Sequence, residues 1–352
     1  METNRIIYLD IMRILAVFCV VILHVSATGF FRYPLYTTEW QVFNIFDSAV
    51  RFCVPLMVMI SGALFLDPAK EIPVRKLYRK NILRVITAFL VWSAFYFIFL
   101  SGILQGVIWS FDEFLGSFFT GQIHMWFLYM IVGLYIIVPL LRKITPGKKL
   151  TEYFLIVALV FAIIIPAIMK ADFPLHGVFA GNLENMNLYF ILGFPVYFVA
   201  GYYFSKYPVK KTIRMIIYIL GVLSVIFTIM MTSYISRSAY SDYMPNDLLH
   251  DYLLPNTAIT TLALFLFFKS RFEGKVFTES AIKRISLLSK CSFGIFLVHV
   301  FFMVQFFMLL DFYRIIYNPA ILIPVISVAI YACSFVVSFL LNKIPVLNRY
   351  IV

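Results

Sequence analysis

The stretch IYLDIMRILAVFCVVILHVSATG (residues 7–29) decides the fold. As a helix rising ~1.5 Å per residue it reaches ~34 Å, enough to cross the ~30 Å hydrocarbon core of a bilayer. Its only charged side chains are Asp10 and Arg13, both near its start. A strand of a membrane barrel would alternate polar and apolar positions, and this run does not. Nine further stretches of the same kind follow, near 44–66, 82–103, 125–141, 152–169, 186–205, 213–231, 252–269, 285–309 and 319–341. The expected fold is therefore an all-α integral membrane protein. It is a polytopic bundle of about ten transmembrane helices in one domain spanning residues 1–352. Composition agrees: 62% of residues are apolar and 13% charged, against ~45–50% and ~25% in soluble domains. A mean hydropathy of +0.94 excludes a disordered chain and argues against a soluble enzyme.

The net charge of +12 would by itself suit a nucleic-acid partner, so the placement of the charges has to decide. Of the 29 Lys and Arg, Arg13, Arg51, Arg84 and Lys290 lie in or at the edge of spans. Of the rest, 21 fall in the N-tail, the even-numbered loops and the C-tail. The opposite side holds four, Arg32, Lys170, Arg237 and Arg314. This is the positive-inside pattern. It predicts both termini in the cytoplasm, with basic loops facing anionic membrane lipid and no nucleic-acid partner. The N-terminus has a signal-peptide look, with Arg5 and a Val25-Ser26-Ala27 triplet. Asp10, Arg13 and the nine later stretches favour an uncleaved first span. Cys19, Cys53, Cys291 and Cys333 all fall inside spans with no metal-ligand spacing, so they read as packing residues and no metal is expected.

Charged groups within a span are expensive and mark sites by default; the plainer alternative is an ion pair that only orients helices. Arg13 and His24 are eleven residues apart, three helical turns plus ~20°, so both share one face ~16 Å apart along the axis. Asp10 is three residues before Arg13 and pairs with it on that face. His24 falls ~22 Å beyond the cytoplasmic edge. Asp47 and Arg51 form an i,i+4 pair in the second span, with Arg51 ~10 Å in from the external edge, near the depth of His24. The ninth span brings His299 ~21 Å up to the same level, with Ser292 on its face. His124 begins the fourth span at the external edge. Three groups at one depth favour a site over isolated core histidines. At the cytoplasmic edge, Arg13, Arg84 and Lys80 are candidates for an anionic ligand, although an ordinary basic flank explains most of that neighbourhood.

These residues resemble a known pattern. YLDIMRILAVFCVVILH (residues 8–24) holds Arg13, ten residues, then His24, and is similar to the Arg-x10-His signature of the membrane acyltransferase-3 family. RFCVPLMVMISGALFL (51–66), HMWFLYMIVGLYIIVPLLRK (124–143) and LLSKCSFGIFLVH (287–299) resemble further family segments in the same order. The chain looks like the short sugar O-acyltransferase form without an extra external domain. It departs from the family at the start of the third span, where Asn81 stands in place of the first arginine of an Arg-x-x-Arg pair ending at Arg84.

The resemblance implies a multi-pass enzyme of the bacterial cytoplasmic membrane. It would transfer an acyl group, most often acetyl, from cytosolic acyl-CoA to a hydroxyl of a glycan or glycolipid. On this reading acetyl-CoA is the donor, and Arg13, Arg84 and Lys80 bind its phosphates. His24 is the general base, and Arg51, held by Asp47, stabilises the oxyanion. His299, His124 and Trp126 contact the acceptor. A transporter or exporter of glycan or lipid without chemistry is the alternative, and an assembly subunit ranks last. Oligomeric state and the identity of the acceptor are not encoded in any motif.

Overall fold

The computed structural model describes residues 6–104, 110–170, 176–188, 190–238, 244–310 and 318–352. Arg5 and Arg314, counted in the charge bias above, lie outside the described residues. Among those described, every regular element is helical. The two ends of the bundle are called here the basic end, which carries the basic loops, and the far end.

α1 (Ile7–Phe30) runs from the basic end to the far end. Thr37 accepts a hydrogen bond from the Trp40 N–H and starts α2 (Thr38–Val50), as an N-cap threonine does. α2 and α3 (Cys53–Phe65) form one span broken at Arg51–Phe52. Pro55 is the cause: it has no N–H for the Arg51 carbonyl, and its ring clashes with that carbonyl. α4 (Val74–Lys76) leads through a π-helical turn over Leu77–Ile82 into α5 (Leu83–Tyr96). After Ser110 comes α6 (Phe111–Thr120), opened by a capping box between Ser110 and Glu113. α7 (Trp126–Ile144) returns to the basic end. α8 (Lys148–Leu159) and α9 (Ile165–Met169) are joined by a π-helical stretch, and α10 (His176–Asn185) follows. The chain continues through α11 (Pro195–Lys206), α12 (Lys211–Ser238), α13 (Pro255–Phe272), α14 (Glu279–Leu309), α15 (Pro319–Lys343) and α16 (Pro345–Tyr350).

Nine spans among the described residues are long and apolar enough to cross a membrane. The sixth stretch expected from the sequence, 186–205, is the exception. Residues 186–188 and 190–194 form turns and bends, and α11 starts only at Pro195, a residue suited to the first helical position. Twelve residues span only ~18 Å. α11 is nevertheless firmly seated, because it packs along α3 with almost no side-chain spacing. A Cβ on Gly62 would fall 1.7 Å from the Phe198 carbonyl oxygen, and one on Gly201 would fall 1.9 Å from that of Met59. Such reciprocal small-residue contact is how helices approach closely in lipid, where no hydrophobic force drives them together.

α1 is apolar almost all round, so it belongs inside the bundle. It packs against α2, α3, α13, α14 and α15. α12 lies at the periphery and exposes Ile216, Ile219, Val222, Leu223 and Met230. A run of that length on a water-soluble protein would be an aggregation surface; here lipid covers it. The protein is a multi-pass helical membrane protein.

Candidate active site

Three helices that are distant in sequence deliver three histidines to one place. The ring centroids of His24 and His299 are 5.2 Å apart, those of His124 and His299 5.1 Å, and those of His24 and His124 6.2 Å. His24 comes from α1, His299 from α14, and His124 from the single 3₁₀ turn that precedes α7. His299 Nδ1 meets the Phe296 carbonyl oxygen at 2.7 Å, which orients the ring. Its Nε2 is buried without a hydrogen-bond partner among the described residues. A buried polar atom left unpaired is costly, and an ionisable residue so placed within a membrane bundle is a candidate functional group. His24 is partly exposed, whereas His124 and His299 are almost fully buried. Among the described residues no group of three His, Cys, Asp or Glu is arranged to hold a metal ion.

Arg51 pairs with Asp47 as their spacing of four predicts. Its Nη2 donates to Asp47 Oδ2 at 2.6 Å and meets His250 Nδ1 at 3.1 Å. His250 Nε2 lies 3.0 Å from Ser48 Oγ, which donates to Asn44 Oδ1. Asp47 is fully buried; an ionised carboxylate there needs a fixed cation, and Arg51, one turn on along the chain, provides it. His250 was not singled out in the sequence. The depth argument applied to His24 would have found it, since it stands at the external edge of the eighth apolar stretch beside Asp247 and Asp251.

At the basic end a cavity of about 370 Å³ opens between α1, α3, α5, α7 and α14. Arg13, Arg84 and Lys290 line it, with Asn81, Ser61, Tyr135, Ser289 and Asn348, and it contains no carboxylate side chain. Arg13 donates to Ser289 Oγ at 3.0 Å and pairs with Asp10 at 3.4 Å. Ser289 in turn donates to Asp10 at 2.5 Å, so the guanidinium is held in place from α1 and α14 together. Arg84 donates to the Val352 main-chain oxygen and lies over the Phe293 ring at 5.4 Å. Lys80 does not line the cavity and is exposed. The π turn over Leu77–Ile82 carries extra residues per turn, which leaves Asn81 and Arg84 facing the cavity and Lys80 facing out. Lys290 joins them instead, and its place at the start of a span was the signal for it. The cavity reaches inward to Phe127 and Phe296. Phe296 in turn touches both His124 (5.6 Å) and His299 (6.0 Å).

Trp126 opens α7, two residues after His124. It stacks on Tyr252 at 5.7 Å and meets Phe194 at the same separation, with 38% of its surface exposed.

The bundle thus holds a cationic cavity at one end that reaches, through Phe296, to a cluster of three histidines. The family model described as an acyltransferase domain, Acyl_transf_3, matches residues 6–342. The chain belongs to the acyltransferase-3 family and is an acyltransferase. No curated protein and no solved structure matches it.

Proposed function

We propose that the protein is an O-acyltransferase of the bacterial cytoplasmic membrane. It takes an acyl group, most often acetyl, from cytosolic acyl-CoA and passes it to a hydroxyl of a cell-surface or lipid-linked carbohydrate. One observation carries this reading. Arg13 and His24 share one face of α1, Arg13 lines the basic cavity, and Phe296 joins that cavity to the ring cluster containing His24. The cations Arg13, Arg84 and Lys290 suit the phosphates of CoA. The apolar walls above them, Val17, Met57, Ile60 and Phe127, suit the thin pantetheine arm. The thioester carbonyl would then lie beside the histidines.

His24 acts as general base, since a neutral imidazole nitrogen can accept the hydroxyl proton. It removes the acceptor hydroxyl proton as the oxygen attacks the thioester carbonyl. The C–O bond forms, the C–S bond breaks, and the proton passes to the leaving thiolate to give free CoA. Arg51, fixed by Asp47 and His250, contributes positive potential toward the oxyanion. His299 and His124 flank the reacting centre, and the exposed face of Trp126 offers a stacking surface to the acceptor. Family membership favours this chemistry over export without it.

The test is mass spectrometry of surface glycans from cells with and without the protein. A mass difference of one acyl group on one sugar is the expected result. Identical spectra, with the protein expressed and inserted, would overturn the reading.

A further inference from the structure

A second cavity lies at the far end, between α5 and α6, with a volume of about 410 Å³. It is lined by Ser93, Tyr96, Glu113, Ser117, Thr120 and Gln122, together with Phe97 and two glycines. Its chemistry is the reverse of the basic cavity. Among the described residues no Lys or Arg lines it, so these offer no cation to a phosphate or carboxylate. Its side chains instead offer hydroxyls, an amide and one carboxylate, a mixed set of donors and acceptors. Ser117 and Thr120 are exposed along α6 and Gln122 is half-buried, so their polar groups are free to meet a ligand or water, while buried Ser93 donates to the Met125 sulfur at 4.0 Å. Glu113 accepts from the Ser110 N–H at 2.9 Å and from its hydroxyl at 3.0 Å. Those bonds hold its carboxyl below the usual range, and so keep it ionised.

The cavity is built by a loop that has to come close. Gly121 adopts φ +68°, and a Cβ there would fall 2.8 Å from the Phe89 ring and 3.0 Å from Ser93 Oγ. Only glycine takes that conformation and that space without strain. Gly121 is three residues before His124, so the turn that forms the cavity wall also positions a member of the histidine cluster. Tyr96 belongs to both: it lines the cavity, and its ring centroid is 5.5 Å from that of His124.

A neutral ligand with many hydroxyls fits this lining, and an anion or an acyl chain does not. The volume falls within the ~300–1,000 Å³ of small-molecule sites. We propose that the cavity between α5 and α6 is a binding site for a neutral hexopyranoside ring, with Ser93, Ser117, Thr120 and Gln122 as its hydrogen-bonding set. The inference deepens the proposed function by giving the carbohydrate acceptor a place, one aromatic ring away from His124.

The test uses Ser117→Cys in purified protein in nanodiscs, with the four native cysteines replaced by alanine. The rate of labelling by a charged maleimide is measured with and without the methyl glycosides of glucose, galactose and mannose. At least one glycoside should slow labelling twofold or more, and should leave Phe111→Cys, which lies on α6 but outside the cavity lining, unaffected. Adding Gln122→Ala should restore the unprotected rate. Unchanged labelling of Ser117→Cys with all three glycosides overturns the proposal, as does equal slowing at Phe111→Cys. Protection needs no acyl-CoA, so the two readings fail separately. Protection without acyl transfer would sink the transferase reading alone, and transfer without protection would sink this site alone.

Discussion

The two cavities are similar in size and opposite in character. The basic one gathers Arg13, Arg84 and Lys290 without a carboxylate; the far one holds Glu113 without a cation. The first is assembled by long helices whose ends meet, the second by a short amphipathic helix and a glycine turn. Between them are the three histidines, walled by Phe296 on one side and Tyr96 on the other. A protein that joins a charged donor to a neutral acceptor needs this division, because a site suited to both would select neither.

The sharpest way to break the comparison is to remove the middle. His24→Ala should lower the acyl-transfer rate by ~10²–10⁴-fold, the contribution of a general base, measured with radiolabelled acetyl-CoA on protein that still elutes as a single peak. Full activity would remove His24 from the chemistry. Next come changes confined to the basic cavity. Arg84→Ala should weaken CoA binding by about tenfold or more, since a charge-assisted hydrogen bond contributes ~1.5–3 kcal/mol. Titration calorimetry reads this, and an unchanged Kd would show that the cations serve only the fold. The same variant should leave the sugar protection described above intact.

Gly62→Leu targets neither cavity but the seam of α3 and α11. Overpacking costs ~1–3 kcal/mol, so the thermal midpoint in detergent should drop by several degrees. An unchanged midpoint would show that the seam yields. The smallest effect is expected from Ser48→Ala, which takes a hydrogen-bond partner from His250. A loss of ~0.5–1.5 kcal/mol is typical of one such bond. It should appear as a small fall in kcat with the donor Kd unchanged, because the network orients Arg51 and lies far from the CoA cations.

Much of this was legible in the sequence. The spans follow from apolar length, and the pairing of Arg13 with Asp10 follows from a spacing of three. The meeting of His24 with His299 was anticipated as a shared depth. The pairing of Arg51 with Asp47 follows from a spacing of four and is present at 2.6 Å, whereas depth fixes only one coordinate and does not say which groups face one another. Lys80 is exposed and outside the lining of the basic cavity, since a π turn alters the angular step that helical counting assumes. α11 fell short because hydropathy registers apolar content and not the turns that interrupt it. The far cavity was out of reach altogether. Its residues are ordinary Ser, Thr and Gln, and only the approach of α6 to α5 gives them a common purpose.

Tyr96 has one more consequence. Its hydroxyl donates to the Leu297 carbonyl at 2.6 Å and accepts from the Phe301 N–H at 3.2 Å, so α14 grips the ring from two turns. Imidazoles in a row relay protons readily, and a water-filled passage through His24, His124 and His299 would short-circuit the membrane that houses it. The gripped ring on one side and Phe296 on the other set aromatic walls against His124, the packing that would keep such a passage closed.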